Sequence, residues 1–438
     1  MNVIPAASQG VATPAPTMIE ALRAWARIGI LSFGGPTAQI ALMHRVVVDE
    51  KKWLTEQQFL NALSFCMLLP GPEAMQLATY VGWRLHGTRG GIAAGLLFVL
   101  PGAFVVLALS VIYAMFGRLA PVEAVFFGIK AAVLVIVIEA LLRIAKRALK
   151  PLEHWIIAAL SFALIFFVAM PFPLIVLSAA AYGFIRAGGH GSGPAEAGMP
   201  IQVSPGGTAR TIGLWLTLWI APLAAMAALL GGDHIFSQLG LFFSKLAVVT
   251  FGGAYAVLAY MGQDVVVRHG WLEAGQMMDG LGLAETTPGP LILVTEFVGY
   301  LAAYRHGGAP AWLMGLGGAA VALWATFAPC FLWIFAGAPY IEWITDQPRL
   351  KGALSAITAA VVGVILNLAI WFALHVFFRS VDLVSAGPFR LWRPDLATLD
   401  WRVVVLAAIS GFLLLVRHWN IPSVLAVAAL LALGLTTI

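Results

Sequence analysis

The sequence predicts an all-α polytopic membrane protein made of two homologous halves in inverted topology, with broken or re-entrant helices in the first two elements of each half. Three observations predict it: a charge deficit with long apolar runs, an internal repeat, and an odd apolar helix between the repeats. Of 438 residues, 61% are hydrophobic and only 10% are Asp, Glu, Lys or Arg, where a soluble domain carries about 25%. Mean hydropathy is +0.93. Gly90 to Gly117 holds no ionisable side chain but Tyr113, and Thr211 to Gly232 holds none. Each run reaches the roughly 20 residues that cross a bilayer as a helix. A water-soluble enzyme is excluded. The net charge of +5 is spread out, which implies basic residues flanking membrane segments and gives no nucleic-acid surface.

The repeat organises the chain. Ser32-Phe33-Gly34-Gly35-Pro36 recurs 218 residues on as Thr250-Phe251-Gly252-Gly253-Ala254. At the same offset Arg27 becomes Lys245, Trp53-Leu54 becomes Trp271-Leu272, and Pro70-Gly71-Pro72 becomes Pro288-Gly289-Pro290. Further on, the offset is 228, pairing Pro101 with Pro329 and Glu139 with Asn367. The predicted organisation is a disordered tail over 1–17 and a first repeat over 18–186. A flexible loop with an extra helix (211–232) fills 187–235, and a second repeat covers 236–438.

Each half reads as six apolar elements, in the first half 18–48, 54–86, 88–117, 121–149, 153–170 and 172–186. The extra helix makes the crossing number between halves odd, so the second half starts on the opposite face. Arg143, Lys146, Arg147 and Lys150 form a one-sign cluster, while the matching segment 379–402 mixes Arg379, Arg390, Arg393 and Arg402 with Asp382, Asp395 and Asp400. Positive-inside then puts the N-terminus in the cytoplasm and the C-terminus outside. Segment 379–402 reads as an external loop.

The repeated motifs are helix breakers inside apolar segments. Glycines free the backbone, and proline suits the first turn of a new helix. Half-helices should therefore begin near Thr37 and Glu73, and again near Ala254 and Leu291. Exposed N–H groups and the positive dipole end there favour an anion. The candidate binding residues are Arg27, Ser32, Gly34, Gly35, Pro36, Thr37, Pro70, Gly71 and Pro72. From the second half come Lys245, Thr250, Gly252, Gly253, Thr286, Thr287, Pro288, Gly289 and Pro290. Ser32, Thr37, Thr250, Thr286 and Thr287 are expected to add hydroxyl donors. Glu73, Lys130, Glu139, Glu285 and Glu296 are charged in apolar context. They are candidates for proton or ion coupling and equally for counter-ions. Cys66 and Cys330 read as small packing residues, and no metal or cofactor motif occurs. No phosphate-binding loop, His-Glu-x-x-His or Gly-x-Ser-x-Gly is present, so neither nucleotide-driven pumping nor a membrane enzyme is supported.

The stretch from Arg27 to Trp83, with Phe33-Gly34-Gly35-Pro36, Trp53-Leu54 and Pro70-Gly71-Pro72, resembles the chromate ion transporter family. Its long members are two homologous halves in tandem, as here. The resemblance implies a bacterial inner-membrane exporter of chromate that confers chromate resistance. Sulfate, a structural analogue, is the expected competitor. Ala254 departs from the pattern where the first half has Pro36, which implies unequal halves. Oligomeric state is left open, a homodimer included.

Overall fold

A computed structural model describes residues 16–117, 119–188, 204–251, 254–345, 347–387 and 389–436. Most of the expected tail and loop, and both Gly252 and Gly253, lie outside the described residues.

The first half runs α1 (Met18–Leu31), α2 (Gly35–His44) with a π-helical turn at Arg45–Glu50, α3 (Glu56–Leu68), α4 (Glu73–Phe116), α5 (Ala120–Ala148), α6 (Leu152–Val168) and α7 (Phe172–Gly188). The extra helix is α8 (Pro205–Leu230). It begins before the expected Thr211 because Pro205 fits a first turn. The second half repeats the order: α9 (Ile235–Val249), α10 (Ala254–Gln263) with a π turn at Asp264–Arg268, α11 (Ala274–Thr286), and α12 (Val294–His306) after a 3₁₀ turn at Leu291–Leu293. Then come α13 (Ala311–Gly337), a short α14 (Ile341–Thr345) and α15 (Pro348–Phe377). Strands β1 (Val381–Ala386) and β2 (Phe389–Pro394) precede α16 (Trp401–Gly411) and α17 (Ile421–Thr436).

Local chemistry repeats with the elements. Thr55 and Gln58 form a capping box at the start of α3, and Glu273 and Gln276 form one at the matched start of α11. Each box satisfies two amide groups that a helix end leaves open. Within α4 the backbone leaves helical geometry at His86 and Gly87 (φ 60°), so the chain folds back on itself there. A Cβ on Gly82 would lie 2.4 Å from the Gly90 carbonyl oxygen, and one on Gly299 would lie 2.6 Å from that of Gly318. The same glycine-lined hairpin thus occurs in both halves.

Among the described residues, five helices are long and apolar enough to span a membrane: α4, α5, α8, Ala311–Tyr340 and α15. At 17 residues each, α6 and α7 are about 26 Å long, slightly short of the roughly 30 Å hydrocarbon core. α5 packs against α16 and α17, while α15 packs against α6 and α7. Glycines allow the backbones to approach: a Cβ on Gly128 would meet the Ala428 carbonyl oxygen, and one on Gly183 that of Gly352, each at 2.2 Å.

One expectation is corrected. Segment 379–402, expected as a loop, contains an antiparallel hairpin pairing Val381 with Pro394 through Ala386 with Phe389, turned at Gly387 (φ 61°). Asp400 anchors it. Its carboxylate accepts from Arg402 at 2.9 Å and Arg379 at 3.3 Å, and these hydrogen bonds hold it below the ordinary carboxylate range.

Candidate functional site

All four helix breaks meet at one place. Pro36 and Gln39 of α2, Gly71, Pro72, Glu73 and Ala74 around the start of α4, Thr250 after α9, and Pro290, Leu291 and Ile292 before α12 line a single pocket. Its volume is ≈ 10 Å³, room for about one water molecule. The pocket is therefore closed in this conformation.

Two reciprocal hydrogen bonds close it. The Gly71 amide donates to the Thr250 carbonyl at 2.9 Å, and the Gly289 amide donates to the Ser32 carbonyl at 2.9 Å. Thr250 and Ser32 are repeat partners, as are Gly71 and Gly289, so one bond is the other turned about a pseudo-two-fold axis. The chemistry is that of helix ends. α1 stops at Ser32 and α9 at Thr250, leaving terminal carbonyls without a helical partner. The break of the opposite half supplies the missing donor.

Glycine is required where these segments cross. Gly71 has φ 120° and Gly289 φ 91°, values that side chains disfavour. A Cβ on Gly71 would lie 2.8 Å from Gln76 Nε2 and 3.1 Å from Cys330 Sγ. Cys330 follows Pro329 in α13 as Gly102 follows Pro101 in α4. A Cβ on Gly102 would lie 2.1 Å from the Pro288 carbonyl oxygen. Small residues after each helix proline thus make room for a break, which is the packing role expected of Cys330. Gly34 and Gly35 also have positive φ, 85° and 75°. Nothing lies within 4 Å of a Cβ at Gly35, so conformation and not crowding selects glycine there.

Two side-chain amides, both from the first half, finish the site. Gln39 Nε2 donates to the Gly289 carbonyl at 2.7 Å and to the Ser32 carbonyl at 3.3 Å. Gln76 Nε2 donates to the Pro70 carbonyl at 2.7 Å. Gln39 was missed from sequence. The available signal was a lone amide in an apolar half-helix. Pro72 caps α4 without a side-chain hydrogen bond, so the first amides of that helix are left for another acceptor. Glu73 in that first turn is the ionisable residue of the pocket lining, and no Lys or Arg joins it. What the lining offers an anion is therefore backbone amides at helix starts and no cationic side chain.

The other candidates are placed differently. The candidate hydroxyls are engaged by their own helices in this closed conformation: Ser32 donates to the Ile28 carbonyl, Thr250 to Leu246, Thr286 to Leu283 and Thr287 to Ala284. A hydroxyl has one proton to give, and within a helix it goes to the preceding turn. Thr37 is exposed. Arg27 is exposed and paired with Glu50 at 3.2 Å, and Lys245 is exposed; neither lines the pocket. Glu139 pairs with Arg143 on its own helix at 3.0 Å. Glu285 is buried and accepts from Tyr255 Oη at 2.8 Å, while Glu296 is 1% exposed. Lys130 lies 3.4 Å from Asp279, a buried acid that sequence reading passed over.

Paired broken helices related by inversion, meeting at a closed central pocket in a polytopic bundle, define a membrane transporter. Residues 19–184 and 237–435 each match the chromate transporter family, and the chain belongs to that family. It is 31% identical over 359 residues to the chromate transport protein of Cupriavidus metallidurans, covering 80% of this chain and 82% of that one. It is 32% identical over 369 residues to the chromate transport protein of Pseudomonas aeruginosa, covering 81% of each. The probable chromate transport protein of Synechococcus elongatus is 28% identical over 405 residues, covering 91% of this chain and 96% of that one. No solved structure matches the chain.

Proposed function

We propose that this chain exports chromate from the cytoplasm across the bacterial inner membrane, through the pocket between the four breaks. The observation that carries the reading is their convergence on one pocket lined by the starts of α2 and α4 and the turn before α12, helix N-termini being favourable places for an anion. A tetrahedral oxyanion accepts N–H hydrogen bonds from several directions, which suits amides arriving from different helices. At about one water in volume, the pocket must widen to admit it, so the cycle alternates between this closed state and open ones. Glu73 sits where an anion is favoured. An ionised carboxylate repels an entering dianion, so Glu73 must take up a proton or turn aside for the anion to bind, which makes Glu73 a partner in the cycle.

Export needs no nucleotide. One charge moved through 100 mV is worth about 2.3 kcal/mol, so a dianion leaving a negative interior gains about 4.6 kcal/mol. That supports a gradient of about three orders of magnitude. With the N-terminus inside, the Arg143–Lys150 cluster faces the cytoplasm and the β1–β2 hairpin faces out.

The test is chromate uptake into everted membrane vesicles with and without an imposed potential. Uptake should rise when the vesicle lumen is made positive and fall when sulfate is added. Potential-driven uptake of sulfate with no chromate carried would assign the pocket to another oxyanion, and uptake of neither would end the reading.

A further inference from the structure

Away from the pocket, the two halves also meet at a buried polar contact built on Asp279. This residue lies midway along α11 and is 2% exposed. Its Oδ2 accepts a hydrogen bond from Tyr113 Oη of α4 at 2.7 Å and faces Lys130 Nζ of α5 at 3.4 Å. Both partners belong to the first half, while α11 belongs to the second. The lysine lies across bare backbone: a Cβ on Gly275, four residues before Asp279, would be 3.1 Å from its Nζ. Tyr113 is fixed by edge contacts with Phe126 and Phe297, at ring-centre distances of 5.0 and 5.2 Å. Oδ1, by contrast, is buried with no hydrogen-bond partner among the described residues.

A buried ion pair is a poor way to gain stability, because desolvation cancels most of the attraction. An ionisable group at membrane depth is usually retained for function. Here one carboxylate oxygen carries both contacts and the other has unused acceptor capacity. We propose that Asp279 is a proton-binding site that clasps the α11–α12 hairpin to the first half, and that a proton taken up on Oδ1 releases it. The proton adds to an oxygen lone pair and no other covalent bond changes. With the charge gone, the ion pair to Lys130 is lost and the hydrogen bond from Tyr113 weakens. Lys130, whose side chain is 29% exposed, can turn towards water where Asp279 cannot.

The groups facing Asp279 are few. Lys130 comes from α5 and Tyr113 from α4. α12 carries Glu296, Tyr300, Tyr304, His306 and Arg305, the last held by Gln276 Oε1 at 2.6 Å. Glu273 caps α11 itself. α17 has no ionisable residue, and α15 has Arg349, Lys351 and His375 only towards its ends. Glu285, also on α11, is held by Tyr255, and among the described residues Asp279 is the acid within ion-pair distance of a cation of the other half. The clasp is also one-sided. The repeat partner of Asp279 is Asn61, which is exposed and accepts from Gln57 of its own helix at 2.9 Å. The partners of Tyr113 and Lys130 are Ile341 and Thr358. A proton therefore acts on one hairpin of the two, and in an inverted repeat this makes the two faces unequal.

The functional consequence rests on the transporter reading, whereas the proton site does not. Hydrogen exchange of residues 274–286 is measured on the purified full-length protein, without substrate, at pH 6 and pH 8, and corrected for intrinsic rates. In the wild type, protection should fall at least about fivefold at the lower pH as the hairpin opens locally. Asp279→Asn should give the same protection at both. The double variant Lys130→Gln/Asp279→Asn leaves no charge unpaired and is measured beside it, so that a folding failure of the single variant does not decide the matter. Wild-type protection independent of pH, or a pH response retained in the double variant, overturns the proposal. Chromate flux in vesicles across the same pH range is a separate arm. If wild-type vesicles carry no chromate, the transport reading fails while the exchange data still decide the proton site.

Discussion

The two break regions share a backbone and differ in what they place on it. Around the first-half breaks sit neutral amides, Gln39 and Gln76, with Glu73 at the tip of a half-helix. At the matching second-half positions Gln39 becomes Val257 and Glu73 becomes Leu291. The second-half hairpin instead carries Asp279, Glu285 and Glu296, all buried, where the first half has Asn61, Met67 and Thr79. The outer ends differ too. Arg27 is neutralised by Glu50, but the counterparts Lys245 and Arg268 are both basic. Duplication thus preserved the frame while dividing the labour. The first half places an amide and an acid, Gln39 and Glu73, at the pocket, and the second keeps its buried acids away from it.

The largest expected effect tests the shared frame. Gly71→Val must place a side chain at φ 120° and against Gln76 and Cys330. Chromate flux should fall to background, whereas Gly35→Val, strained by about 1–3 kcal/mol of backbone conformation but uncrowded, should keep a measurable fraction. Flux and membrane level of the two variants, measured together, check this. Equal behaviour would show that crowding at the break is irrelevant.

A smaller effect sharpens the asymmetry. Gln39→Val copies Val257 and removes the donor shared by Ser32 and Gly289. Leaving those carbonyls short costs about 1–3 kcal/mol, and flux should drop about tenfold. Wild-type flux in this variant would make Gln39 a packing residue. Smallest is Arg27→Ala. An exposed pair contributes about 0–1 kcal/mol, so thermal stability should hardly move. If Arg27 and Lys245 steer the oxyanion, each alanine variant should lose flux about two- to fivefold at low salt, and the gap should close at high salt as the wild type slows. Salt-independent flux would remove both from the substrate path.

Much of this frame was legible because it is written locally and then repeated. The Pro70-Gly71-Pro72 break, the start of a half-helix at Glu73 and the fold-back at His86–Gly87 each follow from residues within one turn. The partners of the Ser32 and Thr250 hydroxyls follow an equally local rule, since a Ser or Thr at a helix end bonds the preceding turn. Asp279 was not legible. Its meaning depends on Tyr113 and Lys130, each roughly 150 residues away, and nothing near it in the chain announces them. The β1–β2 hairpin was hidden for another reason: alternating charges in 379–402 gave orientation and masked strand alternation.

The exposure of α8 has a consequence for how such a chain arises. Among its described residues only Trp219 is buried, and it meets the rest through Trp215 stacked on Phe331 and the bond from Trp324 Nε1 to the Trp219 carbonyl. Nearly all of its described surface is left uncovered by the rest of the chain. Two copies of a six-element unit joined end to end would point the same way, and their breaks would never face one another. One additional crossing reverses the second copy. The only instruction α8 has to carry is parity, so its length and greasiness are under constraint while its letters, tryptophans aside, are free to drift.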